Sequence, residues 1–203
     1  MVVTDIAECK KNKNRVNVYM DGDFAFACYK ETAVKNGIKK GAHVDAERME
    51  EIRDEDGASY AFQVALKYVS AKMRTRKEIE KKLKEKQIEE KTIAATIEKL
   101  AGYGYIDDAE YARLYVAELS HKYGEKMILN KLFARGIDGE TARAAAAGAG
   151  KAEVLKQQME QLEARYSADE PRKKQQKMIR ALMARGFAYD DIRRSMPEED
   201  DAQ

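Results

Sequence analysis

Chemistry in this chain starts with its cations. Arg74, Arg76, Lys77, Lys81, Lys82 and Lys84 crowd eleven positions, Lys122 and Lys126 follow in the middle of the chain, and Arg172, Lys173, Lys174 and Lys177 cluster near its end. The formal net charge of +2 hides this unevenness. Residues 67–91 hold ten Lys or Arg against five Asp or Glu (net +5), and residues 171–196 hold eight against two (net +6). Such faces suit a polyanion or an acidic protein surface, and they equally suit solvated helix faces. At 3.6 residues per turn, positions 77, 81 and 84 share one side of a helix while Ile79 and Leu83 point to the other, so charge and core need not compete.

Other chemistries lack their residues. No Gly-rich phosphate loop, no nucleophile in a recognisable turn and no His beside paired carboxylates occurs. His43 and His121 stand alone, and Cys9 and Cys28 have no His at metal-ligand spacing, so the cysteines read as small apolar residues of strand-like segments. Asp21-Gly22-Asp23 fits a hairpin turn better than a calcium loop, which needs more oxygen donors and a closing Glu. The adjacent acids Asp107 and Asp108 could bind a metal, but Glu110 follows three residues after Asp107 and helix capping is the stronger reading. Binding rather than catalysis, with no cofactor and no metal, is expected.

These cations must be positioned by helices, and the helices recur. Lys86-Gln87-Ile88, Arg135-Gly136-Ile137 and Arg185-Gly186-Phe187 repeat one turn signature, and Leu83, Leu132 and Leu182 precede it at spacings of 49 and 50 residues. A period that long, filled with helical pattern, means stacked helical modules. In the first, Phe62, Ala65, Leu66 and Val69 mark one stripe, Thr75 and Glu78 form a capping box ahead of Ile79 and Leu83, and Ile93, Ile97 and Leu100 follow. Tyr111, Leu114, Tyr115 and Leu119, then Ile128 and Leu132, then a small-residue helix over 141–147 make the second. Leu155, Met159 and Leu162, then Met178 and Leu182 after Pro171, then Ile192 and Met196 before the stop at Pro197 make the third. Gly136 suits the left-handed residue closing a helix, whereas Gln87 must accept strain or another turn. Tyr68, Tyr103, Tyr105, Tyr111 and Tyr115 are assigned to packing.

The first 56 residues differ. Residues 2–9, 15–20 and 24–28 read as strands, 32–35 and 46–53 as short helices, and the polar stretch 54–59 as a hinge. The expected fold is mainly α, a curved array of three tandem three-helix repeats after a small β-containing segment. Its parts are a β/α segment over 1–56, repeats over 60–106, 107–150 and 151–197, and an acidic tail over 198–203. No stretch approaches the roughly 18 apolar residues of a membrane span, and no secretory signal pattern opens the chain.

Gly104-Tyr105-Ile106-Asp107-Asp108 with Tyr111-Ala112 and Tyr115-Val116, joined to Ala65-Leu66-Lys67-Tyr68-Val69-Ser70 and Glu78-Ile79-Glu80-Lys81-Lys82-Leu83, closely resembles the RecX regulatory proteins of bacteria. Tyr123-Gly124, Lys131-Leu132 and Arg135-Gly136-Ile137 continue the resemblance, which spans residues 60–195 and is weaker in the third repeat. It implies a modulator that binds the RecA recombinase filament and limits its growth, ATPase and strand exchange in homologous recombination and the SOS response, and that can also touch single-stranded DNA; the lack of a span or signal pattern adds a cytoplasmic location, and a monomer is expected. The alternative is a helical repeat protein that binds DNA directly without sequence preference, since no helix clusters Asn, Gln and Arg to read bases.

Overall fold

The structure is a computed structural model and describes residues 1–10, 12–150 and 152–196. Pro197 and the acidic run 198–203, expected as a helix stop and a tail, lie outside the described residues. The chain gathers into two compact units, one of residues 1–72 and 79–106, the other of residues 73–78 with those from Asp107 onward.

In the first unit Val16, Val18 and Met20 are buried on alternate positions, the period-two signature of a strand with one face on a core. This strand, β2 (Asn12–Met20), lies between β1 (Val3–Cys9) and β3 (Asp23–Tyr29) in an antiparallel sheet. Asp21 and Gly22 turn the chain between β2 and β3 with φ of +50° and +97°, the positive pair that matches strand twist. The turn is pinned to β1 and the residue before it: Val2 N–H donates to the Asp21 carboxylate at 2.9 Å, and Gly22 N–H to the Thr4 hydroxyl at 3.1 Å. A short helix, α1 (Lys30–Lys35), follows.

The structure corrects the expected hinge. Residues 46–53 are not a separate short helix and 54–59 are not a break, because α2 (Ala46–Ala71) runs unbroken for 26 residues. Asp56 of this stretch has its partners on the sheet. β3 carries acceptors at Ala25 and Ala27 and a donor at Tyr29, which the side chains satisfy: Arg53 donates to Ala25 O at 3.1 Å, Arg15 to Ala27 O at 2.8 Å, and Tyr29 N–H donates to Asp56 at 2.6 Å. Asp56, only 7 % exposed, also pairs with Arg15 at 2.7 Å. Glu55 is gripped by Asn36 and Lys35, which hold its carboxyl below the usual range. Charge that looked like a solvated linker therefore fastens a helix to a sheet.

The end of α2, α3 (Arg76–Lys84) and α4 (Glu90–Gly102) close a core of Ala65, Val69, Ile79, Leu83, Ile93, Ile97, Leu100 and Ile106. In the second unit α5 (Asp108–Leu119), α6 (Glu125–Ala134) and α7 (Gly139–Ala146) enclose Ala112, Ile128, Leu132, Ile137, Ala142 and Ala146. There α8 (Ala152–Arg165), α9 (Pro171–Ala184) and α10 (Tyr189–Ser195) enclose Leu155, Leu162, Met178, Leu182, Phe187 and Ile192. The fold is thus mainly α, with three three-helix repeats behind a small sheet.

All three repeated turns have the same geometry. Ile88, Ile137 and Phe187 return their N–H groups to Leu83, Leu132 and Leu182 at 3.3, 3.2 and 3.2 Å. Each bond spans a left-handed residue, Gln87 at +58°, Gly136 at +79° and Gly186 at +87°. Gln87 accepts the strain rather than taking another turn.

Candidate interaction surface

The repeated turn is also a docking element. Thr75 caps α3 by accepting the Glu78 N–H at 3.2 Å, and Glu78 returns the contact by accepting the Thr75 N–H at 3.3 Å. The Thr75 hydroxyl has one proton left, and it donates it to the carbonyl of Arg135 at 2.7 Å. The Arg135 guanidinium donates to Glu78 at 2.9 Å and to the Tyr111 hydroxyl at 3.1 Å, and lies 5.4 Å over the Tyr115 ring. A Cβ on Gly136 would stand 2.3 Å from the Lys77 Cβ, so the turn and the first turn of α3 meet backbone to side chain. The arrangement recurs one repeat later. Gly124 N–H, at the start of α6, donates to the carbonyl of Arg185 at 2.9 Å, Arg185 donates to Gln158, and a Cβ on Gly186 would stand 2.3 Å from Met127 N.

The acids at the start of α5 serve the same junction. Asp107 accepts the Glu110 N–H at 2.9 Å, and Asp108 accepts the Arg76 N–H at 3.0 Å. Burial raises the Asp108 carboxyl above its ordinary value in spite of that hydrogen bond. Both acids bind backbone, as capping predicts. Among the described residues no group of three or more His, Cys, Asp and Glu could hold a metal ion. Burial, with Asp56 nearby, pushes the Cys28 thiol up to about 11.

The cations singled out from sequence fall into different settings. Arg74 and Arg76 are half-buried at the repeat junction, and the exposed Lys77 lays its stem against Gly136. Lys82 pairs with Glu85 at 3.2 Å and lies 5.8 Å over the Tyr68 ring. Lys84 bridges Glu80 and Glu90 at 2.8 and 2.5 Å. Lys174 pairs with Glu163 at 2.9 Å and Lys177 with Asp169 at 2.7 Å, while Lys122 lies 5.4 Å over the Tyr123 ring. Lys81, Lys126, Arg172 and Lys173 are exposed and have no ion pair among the described residues.

Two of the five tyrosines depart from the packing expected of them. Tyr103 and Tyr105 are 63 % and 51 % exposed, because they follow α4 on either side of the left-handed Gly104 and lie off any helical stripe. They meet each other edge to face at 6.4 Å, and Phe62 meets Tyr103 at 6.0 Å. Tyr68, Tyr111 and Tyr115 are half-buried against the repeat cores.

Four family models match in chain order: the regulatory protein RecX N-terminal domain at residues 1–45, then the first, second and third RecX three-helix domains at 61–100, 107–145 and 151–196. The regulatory protein RecX of Clostridium perfringens is 32 % identical over 193 residues, 93 % of this chain and 91 % of that one. The chain belongs to the RecX family. Its similarity to the Clostridium acetobutylicum RecX is higher, 40 %, over 136 residues that make up 67 % of this chain and 64 % of that relative. The Bacillus subtilis RecX is 30 % identical over 203 residues, 97 % of this chain and 76 % of the relative. A crystal structure of regulatory protein RecX superposes with a TM-score of 0.75 at 29 % identity, covering 95 % of this chain and 98 % of that one. RecX from Lactobacillus salivarius gives 0.65 at 36 % identity over 70 % of this chain and 95 % of its own. These RecX relatives are named regulatory proteins, and among the described residues no helix is long and apolar enough to cross a membrane.

Proposed function

We propose that this RecX-family chain binds RecA recombinase filaments in the cytoplasm and limits their growth, ATPase and strand exchange, acting by contact rather than by catalysis. The observation that carries this reading is the match to all four RecX domains in chain order. The turn-to-helix contacts at Thr75–Arg135 and Gly124–Arg185 support it physically, since a surface must hold its shape to engage a filament. Steady-state DNA-dependent ATP hydrolysis by RecA is the test: suppression well below one copy per recombinase protomer is expected, and unchanged hydrolysis at saturating protein would sink the inhibitory reading.

The exposed cations without ion pairs among the described residues, Lys81, Lys126, Arg172 and Lys173, support a second reading, direct contact with single-stranded DNA. Replacing Lys77, Lys81 and Lys84 together by Gln is expected to weaken filament association and flatten its salt dependence. Because Lys84 is held by Glu80 and Glu90, its share of the effect is expected to be the smaller. Wild-type affinity and slope would place the electrostatic contact elsewhere.

A further inference from the structure

The equivalent position of each repeat, one residue after the buried leucines Leu83, Leu132 and Leu182, changes character along the chain. It is Lys84 in the first repeat, Phe133 in the second and Met183 in the third. Phe133 is 45 % exposed and Met183 50 % exposed, although the leucine beside each is fully buried. Both apolar side chains share a helix side with exposed cations, Phe133 with one and Met183 with two. Lys126, Asn130 and Phe133 follow one another at i, i+4 and i+7 on α6, and Lys173, Gln176, Arg180 and Met183 share one side of α9, all of them exposed. α9 contains no acidic residue. Lys126, Lys173 and Arg180 have no ion pair among the described residues.

From this pattern we infer that the outward sides of α6 and α9 form a protein-docking surface in which Phe133 and Met183 are the anchors and Lys126, Lys173 and Arg180 the charged rim. The partner face it fits is acidic with apolar recesses. A phosphodiester chain would answer the cations but offers nothing to remove the Met183 side chain from water, and a methionine presents no flat ring for a base to stack on. Apolar anchors surrounded by charge are the usual anatomy of a protein interface. The anchors recur in successive repeats, which suits a partner that presents the same face repeatedly. This inference rests on the proposed filament binding and assigns the contact to the recombinase protein rather than to its DNA.

The test compares wild type, the Phe133→Ser/Met183→Ser double variant and the Phe133→Leu/Met183→Leu double variant. Each is titrated against RecA filaments assembled on single-stranded DNA and against the naked DNA, and each is melted. The serine variant is expected to lose filament affinity by about tenfold or more, with naked-DNA affinity and melting temperature unchanged. The leucine variant is expected to bind like wild type. Undiminished filament binding by the serine variant overturns the inference, as does a parallel loss on naked DNA or a loss that leucine does not restore. Failure of wild type to bind filaments at all overturns the regulatory reading as well, and that outcome is seen before any variant is compared.

Discussion

The hydroxyl of Thr75 donates a 2.7 Å hydrogen bond to the carbonyl of Arg135, 60 residues further along the chain. One side chain thereby caps the start of α3 and satisfies the end of α6. Thr75 is fully buried, so removing its hydroxyl takes away a bond that both groups make at a buried side chain. Thr75→Val, which keeps the shape, is expected to destabilise the protein by about 2 kcal/mol, the sum of a lost cap and an orphaned carbonyl. Equal denaturation midpoints for variant and wild type would show that the hydroxyl contributes nothing.

Substitution of the turn residues separates local strain from docking. Gly136→Val should cost well over about 1 kcal/mol, since it adds a β-branched residue at positive φ to an overlap with the Lys77 side chain. Gly186→Ala should cost at least about 1–3 kcal/mol, because the neighbour there is the Met127 backbone, which cannot swing aside. Gln87→Gly should instead stabilise by up to about 1 kcal/mol by relieving the left-handed strain. Thermal melts that rank the three differently would contradict the docking role of the turn.

Removing Asp56 tests whether the sheet is tied to α2. Asp56→Ala leaves the Arg15 guanidinium and the Tyr29 N–H without their shared partner, and a loss of about 3 kcal/mol is expected. Chemical denaturation measures it, and a loss near that of an ordinary surface substitution would mean the polar stretch is a linker after all.

Asp108 should make stability depend on pH in the direction opposite to a salt-bridged acid. Its carboxyl holds its proton more tightly folded than unfolded, because burial disfavours the charge. The folded state therefore binds more protons, and this contribution falls as pH rises from the unfolded value through the folded one. Asp108→Asn keeps an acceptor for the Arg76 N–H without the charge. The variant should be more stable than wild type at neutral pH, with the difference vanishing in acid. Melting curves from acid to neutral pH check this, and a gap that widens toward acid refutes it.

Cys28 should be inert. The thiol is fully buried and raised to about 11, so the reactive thiolate is scarce at pH 8. Alkylation followed by mass spectrometry should leave Cys28 unmodified in the native protein and modify it after denaturation. Rapid native labelling would indicate opening of the N-terminal core.

Features that close within a few residues were legible from the sequence alone. The 49- and 50-residue period, the Thr75–Glu78 capping box, the Asp107 cap and the return of each turn's apolar residue to its leucine involve groups three to five residues apart or a periodicity of side chains. Backbone geometry fixes such partners in advance. The tertiary structure decided whatever depends on partners far along the chain. Residues 54–59 continue a helix because Asp56 meets Arg15, 41 residues away, and Tyr29, 27 residues away. The turn takes glycine at 136 and 186 because the first turns of α3 and α6 press against it there, while the exposed Gln87 needs only to tolerate its own backbone. Composition located the cations, but only folding decided that Lys84 pairs with Glu80 and Glu90 while Lys126 has no ion pair among the described residues, since an ion pair is a matter of distance in space rather than of order in the chain.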